Sequence, residues 1–277
     1  MKDSNTPEII YPLGRSGEET RRLQQQSQFY NPFTRRLFED AGISAGMKVL
    51  DAGCGAGDVS LIAAELVGPQ GTVVGVDKDP SVIETARKRS CDAGLENVTF
   101  VEGDICSVAR GTDFDAVVGR LILMYLTEPI QAVRNLLGHL RPGGIAAFQE
   151  ADWTYKPAGL PPSRYAEQIY DWMLRCFQTA GVETQMGLKL YGTFLEAGFS
   201  EPQMRLEAPL GGGSDWDGYD YLANSVRSML PLLLKFGIAT AGEVEIDSLA
   251  ERLREEVAGQ NGVVMLSPLV GIWAIKR

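Results

Sequence analysis

The sequence predicts an α/β protein in which a mostly parallel sheet is covered by helices on both faces. Two observations lead to this expectation. Apolar, β-branched segments alternate with helical segments from Lys48 to Glu150, and the first of them runs into a glycine-rich loop. Crossovers between parallel strands are right-handed, and ligands of such sheets lie beyond the carboxyl ends of the strands. We therefore expect polar residues at those strand ends to converge at one edge.

The glycine-rich loop is the most informative segment of the chain. Residues 49–58 read VLDAGCGAGD, an apolar strand end that is followed by an acidic residue and by glycines at alternate positions. Such glycines allow a tight turn and a close approach of a ligand to the backbone, and the helix that follows offers unpaired amides at its start. The loop therefore predicts a site for a polar ligand.

A dinucleotide is the first alternative for that ligand. Dinucleotide sites use G-x-G-x-x-G, in which the third glycine packs the helix on the sheet and the pyrophosphate rests on the helix start. Here the third glycine, Gly57, comes one residue early, and Asp58 follows it. Because a carboxylate at that position would repel a pyrophosphate, the spacing disfavours NAD.

Three further predicted strands carry polar residues at their ends. The β-branched run from Thr72 to Asp79 contains Asp77, about twenty residues beyond the loop, where ribose-binding folds place a carboxylate. The run from Val98 to Cys106 contains Gly103 and Asp104. Strands are also predicted over 114–118 and 140–150, and helices over 80–93 and 129–140.

In this order, the segments from about Arg36 to Glu150 resemble the class I S-adenosylmethionine-dependent methyltransferases, whose first motif is an acidic residue followed by G-x-G-x-G. The resemblance implies a Rossmann-like, seven-stranded, mostly parallel sheet with an antiparallel last strand. It also implies S-adenosyl-L-methionine as cofactor and S-adenosyl-L-homocysteine as product. The implied cofactor-binding residues are Asp51, Ala52, Gly53, Cys54, Gly55, Gly57, Asp77, Lys78, Gly103, Asp104, Ile105 and Arg120. We read Cys54 as a small packed residue, since no cysteine or histidine nearby in sequence could activate it.

The segments outside this core predict helical caps. The last two strands are expected over 203–208 and 269–275, and about sixty residues separate them, far more than the usual hairpin. Apolar stripes from Tyr219 to Leu233 and from Ile246 to Val257 predict at least two helices there. We therefore predict an N-terminal helical cap over 1–35, a core over 36–210 and 263–277, and a helical lid over 211–262. Packing against a second copy, as a homodimer through the cap helices, is an equal and compatible alternative.

Candidate catalytic residues follow the predicted fourth and fifth strands. Glu150 and Asp152 are candidates for a base or for a group that orients an amine, and the alternative is that they only cap the next turn. Tyr125 lies where the resembled family lines the methionine end of the donor and the acceptor, although a helix-surface role fits equally. His139 is expected at the opposite edge of the sheet, away from the cofactor.

The predicted caps carry the candidate substrate-binding residues. Gln26 and Tyr30 could close over the donor. An aromatic wall would suit a planar, apolar or cationic substrate, and the alternative is that these rings form the core of the lid. The candidate substrate-binding residues are Tyr11, Trp153, Trp172, Trp216, Tyr219 and Arg227.

Composition excludes several classes of function. A net charge of −10 argues against a nucleic-acid surface, and the short basic cluster Arg87-Lys88-Arg89 suits a solvated helix face. Four cysteines without C-x-x-C spacing and a single histidine argue against a zinc site or a disulfide framework. No apolar run approaches the roughly twenty residues that span a bilayer, so we expect no membrane insertion and a cytoplasmic protein.

Together, the residues and the resemblance predict methyl transfer to a small-molecule acceptor, a metabolite or natural product, as in the ubiquinone/menaquinone-type and secondary-metabolite branches of the family. The sulfonium donor is already activated, so the protein would act by proximity and orientation, with an optional carboxylate base. One alternative is a methyltransferase-like protein that catalyses another reaction. The other is a non-catalytic partner module that binds the donor.

Overall fold

The computed structural model describes residues 17–105, 113–156 and 159–277. Tyr11 and Cys106 lie outside them. The chain divides into two compact units. We call Ser27–Ala151, Met186–Glu207 and Leu269–Arg277 the sheet unit, and Met1–Gln26, Asp152–Gln185 and Ala208–Pro268 the helical unit. The predicted lid segment belongs to the helical unit, together with residues 152–185, which the sequence analysis placed in the core.

The sheet unit is built on seven strands in the order β3-β2-β1-β4-β5-β10-β7. The first five strands along the chain pair in parallel, and β10 is antiparallel to both of its neighbours. This topology confirms the predicted α/β class and the antiparallel last strand. The strands are β1 Lys48–Ala52, β2 Thr72–Asp77, β3 Val98–Glu102, β4 Phe114–Arg120, β5 Leu140–Ala151, β7 Gln203–Glu207 and β10 Leu269–Ile275.

Helices pack against this sheet, and local signals explain where they begin. At the start of α3, the side chain of Asp79 accepts a hydrogen bond from the amide of Ser81, and Pro80 occupies the first turn. Pro129 has the same position in α4. The helices are α1 Gly17–Ala41, which enters the sheet unit at Ser27, α2 Asp58–Val67, α3 Pro80–Asp92, α4 Pro129–His139 and α6 Met186–Ala197, with a 3-10 helix at Leu123–Tyr125.

Among its described residues, the helical unit contains a small antiparallel sheet in the order β6-β9-β8, the start of α1 and four further helices. Its strands are β6 Gly159–Leu160, β8 Leu210–Gly212 and β9 Val263–Met265, and its helices are α5 Arg164–Thr179, α7 Gly218–Lys235, α8 Ala241–Val244 and α9 Leu249–Ala258. The predicted helices between the last two core strands are therefore confirmed. Pro231 lies inside α7, whereas Ile246, the start of the second predicted stripe, precedes α9.

Across residues 17–105, 113–156 and 159–277, none of the helices has the length and apolar character that crossing a bilayer requires.

Gly75, in the centre of β2, tests the close packing of the sheet unit. A Cβ atom at this position would lie 2.8 Å from both Cδ1 of Phe100 and Oγ of Ser60. We expect Gly75→Ala to lower the free energy of unfolding by about 1–3 kcal/mol because these neighbours must shift. Gly138→Ala, in α4 with nothing within 4 Å of its Cβ, is the matched control and should be neutral or slightly stabilising. Denaturant unfolding of both variants measures the difference, and equal stability would contradict this packing.

Candidate active site

The glycine loop, residues 53–57, joins β1 to α2 at the carboxyl ends of the strands. Its three glycines have φ angles of +72°, +51° and +90°, in the region that disfavours other residues. The amides of Gly53 and Cys54 donate hydrogen bonds to the carbonyl of Val76, at 2.9 and 3.0 Å. A Cβ atom at Gly55 would have no neighbour within 4 Å, so the backbone there is open to a ligand.

Asp77 ties this loop to the ends of β2 and β3. Its Oδ2 accepts a hydrogen bond from the amide of Gly55, and its Oδ1 accepts one from the amide of Asp79, both at 3.0 Å. The amide of Gly103 donates to the carbonyl of Asp77 at 2.9 Å. The predicted residues of three strand ends therefore come together. Next to them, Lys78 and Asp104 are exposed, while Ala52 and Ile105 are buried.

Asp51, the acidic residue before the loop, is fully buried. Its Oδ2 accepts a hydrogen bond from Oγ of Ser60 at 2.6 Å, but its Oδ1 has no hydrogen-bond partner among the described residues. Burial raises its pKa to about 7, and Asp77 and Asp58 act in the same direction, against the hydrogen bond from Ser60 and the charge of Arg120. A cation near Oδ1 would therefore favour the ionised form.

Asp58 has a partner that the sequence did not reveal. Nη2 of Arg89 donates to Oδ1 of Asp58 at 2.6 Å, and Nη1 donates to the carbonyl of Ala56 at 2.7 Å. Two corrections follow. Arg89 is not part of a solvated face, and Asp58 is charge-compensated, so its carboxylate is a weaker argument against a pyrophosphate than the sequence suggested.

Arg120, at the end of β4, is only 9% exposed and connects the sheet to α1. Its Nη1 donates to Oδ1 of Asn31 at 3.0 Å and to Oγ1 of Thr34 at 2.9 Å. Oγ1 of Thr34 lies 2.6 Å from Oε1 of Gln149, to which it can donate, and 3.2 Å from the carbonyl of Tyr30. The network includes Asn31, Thr34 and Gln149, which sequence reasoning missed because nothing in their local pattern marks them.

Glu150, at the end of β5, differs from its predicted role. It is fully buried, and its Oε1 accepts hydrogen bonds from the amides of Ile122 and Leu123, at 3.0 and 2.8 Å. Its Oε2 accepts a longer one, 3.4 Å, from the amide of Met124. Burial raises its pKa to about 7, although these amides oppose the shift. Since both oxygens face backbone amides of the protein, the geometry does not support Glu150 as the base.

The other candidates after β4 and β5 lie in a cap, in the 3-10 helix and at the opposite edge of the sheet. Asp152 is buried in the helical unit, and its Oδ1 accepts from the amide of Thr154 at 2.9 Å, so it caps the next turn as the alternative foresaw. Tyr125 is half-buried in the 3-10 helix. His139 ends α4 directly before β5, at the edge of the sheet opposite the glycine loop, as expected.

Within the helical unit, the predicted aromatic wall is mostly packed core. Trp172 and Tyr219 are buried, and the edge of Trp216 meets the ring of Tyr219 with centroids 5.1 Å apart. Arg227 pairs with Asp247 through Nη1 and Oδ1 at 2.9 Å. Because the rings of Trp172 and Tyr219 are buried and line no pocket of this unit among the described residues, the packing alternative holds for both. Gln26, predicted to close over the donor, is also buried.

Trp153 is the exception, because it lines a pocket inside the helical unit. The pocket has a volume of about 10 Å³, room for about one water molecule, and its lining is mainly apolar. Trp153 is 6% exposed, its ring packs on Tyr170 and Phe177, and its Nε1 has no hydrogen-bond partner among the described residues. The hydroxyl of Tyr170 donates to the carbonyl of Trp153. The lining residues include Tyr170, Met173, Leu222, Met265 and Leu266.

Comparisons with known proteins point to one family. A family model described as a methyltransferase domain matches residues 43–198, more than half of the chain. Aklanonic acid methyltransferase DauC from Streptomyces sp. (strain C5) is 36% identical over 122 residues, which cover 44% of this chain and 56% of the relative. Demethylmenaquinone methyltransferase from Staphylococcus aureus is 31% identical over 117 residues, which cover 42% and 48%. The chain thus matches only about half the length of these curated relatives.

Two solved structures share the fold. A SAM dependent methyltransferase from Aquifex aeolicus matches with a TM-score of 0.55 and 13% identity, covering 95% of this chain and all of that one. The [4+2]-cyclase SpnF matches with a TM-score of 0.56 and 21% identity, covering 88% and 80%. At these identities the structures support the fold alone.

The cysteines test the burial of the glycine loop. Cys54 is buried, and burial together with the charges of Asp51 and Asp77 raises the pKa of its thiol, while burial raises the pKa of Cys176 to about 11. We expect iodoacetamide at pH 8 to modify the exposed Cys91 much faster than Cys54 or Cys176, because the thiolate is the reacting form. Peptide mass spectrometry of the native protein measures the rates, and the denatured protein is the control. Rapid native labelling of Cys54 would contradict its placement.

Proposed function

Because the chain belongs to the methyltransferase-domain family, we propose that it transfers a methyl group from S-adenosyl-L-methionine to a small-molecule acceptor. Family membership confirms the predicted class I S-adenosylmethionine-dependent methyltransferase family and the cofactor. The observation that carries the proposed activity is the cradle of the glycine loop. Among the described residues, nothing covers Gly55, and nearby strand ends contribute Asp77 and the buried Oδ1 of Asp51, which has no hydrogen-bond partner there.

The residues around this loop fit a cationic nucleoside. The donor has positive charge on its sulfonium and on its amino group, and Asp51 is a buried carboxylate that a cation would stabilise. Asp77 is proposed to accept hydrogen bonds from the ribose hydroxyls, as carboxylates do at this position in nucleotide-binding sheets. Asp104 and Ile105 are proposed for the adenine. Ala52, Lys78, Gly103 and Arg120 complete the proposed donor site, and Tyr30 and Gln26 stay predictions.

The proposed mechanism depends on position more than on proton chemistry. The bound donor supplies an activated methyl group on its sulfonium. The chain has to orient donor and acceptor for in-line approach and to exclude water. We do not assign the removal of an acceptor proton to Glu150, whose oxygens accept from backbone amides. Asp152 and Tyr125 are retained as candidates for orienting the acceptor.

The pocket of the helical unit is too small for a whole acceptor, and we propose that its lining contacts only a small group of one. The lining is aromatic and aliphatic, and among the described residues the indole N–H of Trp153 has no hydrogen-bond partner. This combination suits a small group that carries an oxygen acceptor. The relatives are named for two different acceptors, aklanonic acid and demethylmenaquinone, so their names alone do not choose one. Trp216 and Arg227 remain predicted substrate-binding residues.

A second candidate function is a reaction other than methyl transfer on the same fold. It rests on the fold alone, which a [4+2]-cyclase shares. Product analysis with and without the donor separates the two candidates, because only methyl transfer consumes the donor and forms S-adenosyl-L-homocysteine. A non-catalytic, donor-binding module would bind the donor and transfer no methyl group. The homodimer, the cytoplasmic location and the absence of nucleic-acid partners stay predictions.

Asp77 tests the donor site. Replacing it with alanine removes the proposed ribose contacts and the hydrogen bond to the amide of Gly55. We expect the dissociation constant for S-adenosyl-L-homocysteine to rise at least about tenfold, since losing the partner of a buried polar group costs about 1–3 kcal/mol. Glu84→Ala, an exposed carboxylate on α3, is the control and should bind normally. Unchanged affinity of Asp77→Ala in calorimetry would refute the assignment.

Trp153 tests the acceptor pocket. Trp153→Phe keeps an aromatic ring against Tyr170 and Phe177 but removes the indole N–H. We expect the KM for an oxygen-bearing apolar acceptor to rise by about two- to tenfold, the range for one net hydrogen bond, with unchanged donor affinity. Trp172→Phe, buried in the same unit but outside the pocket lining, is the matched control. Equal KM values for the two variants would show that the indole N–H of Trp153 does not bind the acceptor.

A further inference from the structure

The segment after β4 has an unusual backbone. We call residues 121–125 the β4 loop. Leu121 has a φ angle of +55°, which is rare for a residue with a branched side chain, and its amide donates to the carbonyl of Gln149 at 2.8 Å. The 3-10 helix that follows is closed by a hydrogen bond from the amide of Tyr125 to the carbonyl of Ile122 at 3.1 Å. The chain therefore turns sharply at the end of the strand.

Glu150 holds the start of this turn. The amides of three consecutive residues, 122, 123 and 124, donate to its two carboxylate oxygens. The first amides of any helical turn lack intrahelical partners, and here a buried carboxylate from the neighbouring strand supplies them. Without an acceptor at position 150, three amides would lose their partner, two of them in residues that are themselves buried. The position of Ile122 therefore depends on Glu150.

Ile122 in turn packs directly on the glycine loop. A Cβ atom built on Gly53 would lie 2.5 Å from Cγ1 and 2.6 Å from Cδ1 of Ile122, closer than two carbon atoms can approach. The two segments fit together only because position 53 has no side chain. Gly53 also donates its amide to Val76, and Gly55 donates to Asp77. A shift of Ile122 would therefore change how the whole glycine loop is supported.

We propose that Glu150 is a positioning residue for the donor site: it holds Ile122 against Gly53 and so fixes the glycine loop in the conformation that receives the donor. The inference rests on the proposed function, because it assumes that S-adenosyl-L-methionine occupies this loop. Glu150 acts through the β4 loop and does not exchange a proton with the acceptor. Hydrogen-bond acceptance, not negative charge, is the property the position requires.

Two variants of Glu150 separate positioning from base catalysis. Glu150→Gln keeps a carbonyl oxygen for the amides of Ile122 and Leu123, whereas Glu150→Ala leaves all three amides without that acceptor. We expect Glu150→Ala to raise the donor dissociation constant and donor KM about tenfold or more, and Glu150→Gln to change them by less than about threefold. If Glu150 were the base, both variants would lose turnover equally while binding the donor normally.

A second variant keeps the test decisive if Glu150→Ala does not fold. Ile122→Ala leaves the carboxylate in place but removes the side chain that packs on Gly53, so it should weaken donor binding in the same way. Hydrogen exchange adds a readout independent of catalysis: the amides of residues 122–124 should exchange faster than in wild type in Glu150→Ala, whereas in Glu150→Gln the amides of residues 122 and 123 should keep the wild-type rate. Glu96→Ala, an exposed carboxylate before β3, is the control for removing a negative charge.

The possible results separate a failure of the proposed function from a failure of the positioning role of Glu150. If wild-type protein binds no S-adenosyl-L-homocysteine in calorimetry, the proposed function fails and the positioning role falls with it. If the wild type binds and the folded Glu150→Ala and Ile122→Ala variants bind equally well, the proposed function stands and the positioning role is wrong. Weak binding by both variants, with near-normal binding by Glu150→Gln, supports the role.

Discussion

The attachment of the glycine loop to the end of β2 is the constraint on which the rest of the site depends. The carbonyl of Val76 accepts hydrogen bonds from the amides of Gly53 and Cys54, and the carboxylate of Asp77 accepts one from the amide of Gly55. The loop is therefore held along three consecutive residues. These hydrogen bonds form where β1 and β2 end side by side. The parallel register of the two strands brings their ends together. The open face at Gly55 is a consequence, because the backbone is fixed from one side and left free on the other.

The buried charged groups around this loop differ in their partners, and those partners define their roles. Burial of a charged group is costly unless it is hydrogen-bonded or paired. Arg120 bonds to side chains of α1, and Glu150 bonds to the β4 loop, so both have structural partners within the sheet unit. One oxygen of Asp51 has no hydrogen-bond partner among the residues that the structure describes, and we therefore propose Asp51 as the carboxylate that a bound cation would stabilise most.

The sequence predicted those features that depend on local pattern. Alternating strands and helices, the glycine loop and Asp77 follow from periodicity, glycine spacing and the position of an acidic residue, and the structure has them as expected. The sequence did not predict the pairing of Asp58 with Arg89, which are 31 residues apart. Nor did it show that Trp172 is core, since an aromatic residue on a helix has the same pattern whether it packs inside or faces a substrate. Such roles depend on contacts with residues that are distant in the chain, so the local sequence pattern does not reveal them.

The glycine loop is proposed to receive a sulfonium nucleoside. Calorimetric titration of the wild-type protein with S-adenosyl-L-methionine, S-adenosyl-L-homocysteine and NAD in parallel tests this proposal most directly. We expect micromolar-range binding of the first two, which corresponds to roughly −8 kcal/mol, and no binding of NAD. Binding of NAD alone would contradict it, and would mean that the loop, with Asp58 neutralised by Arg89, accepts a pyrophosphate instead.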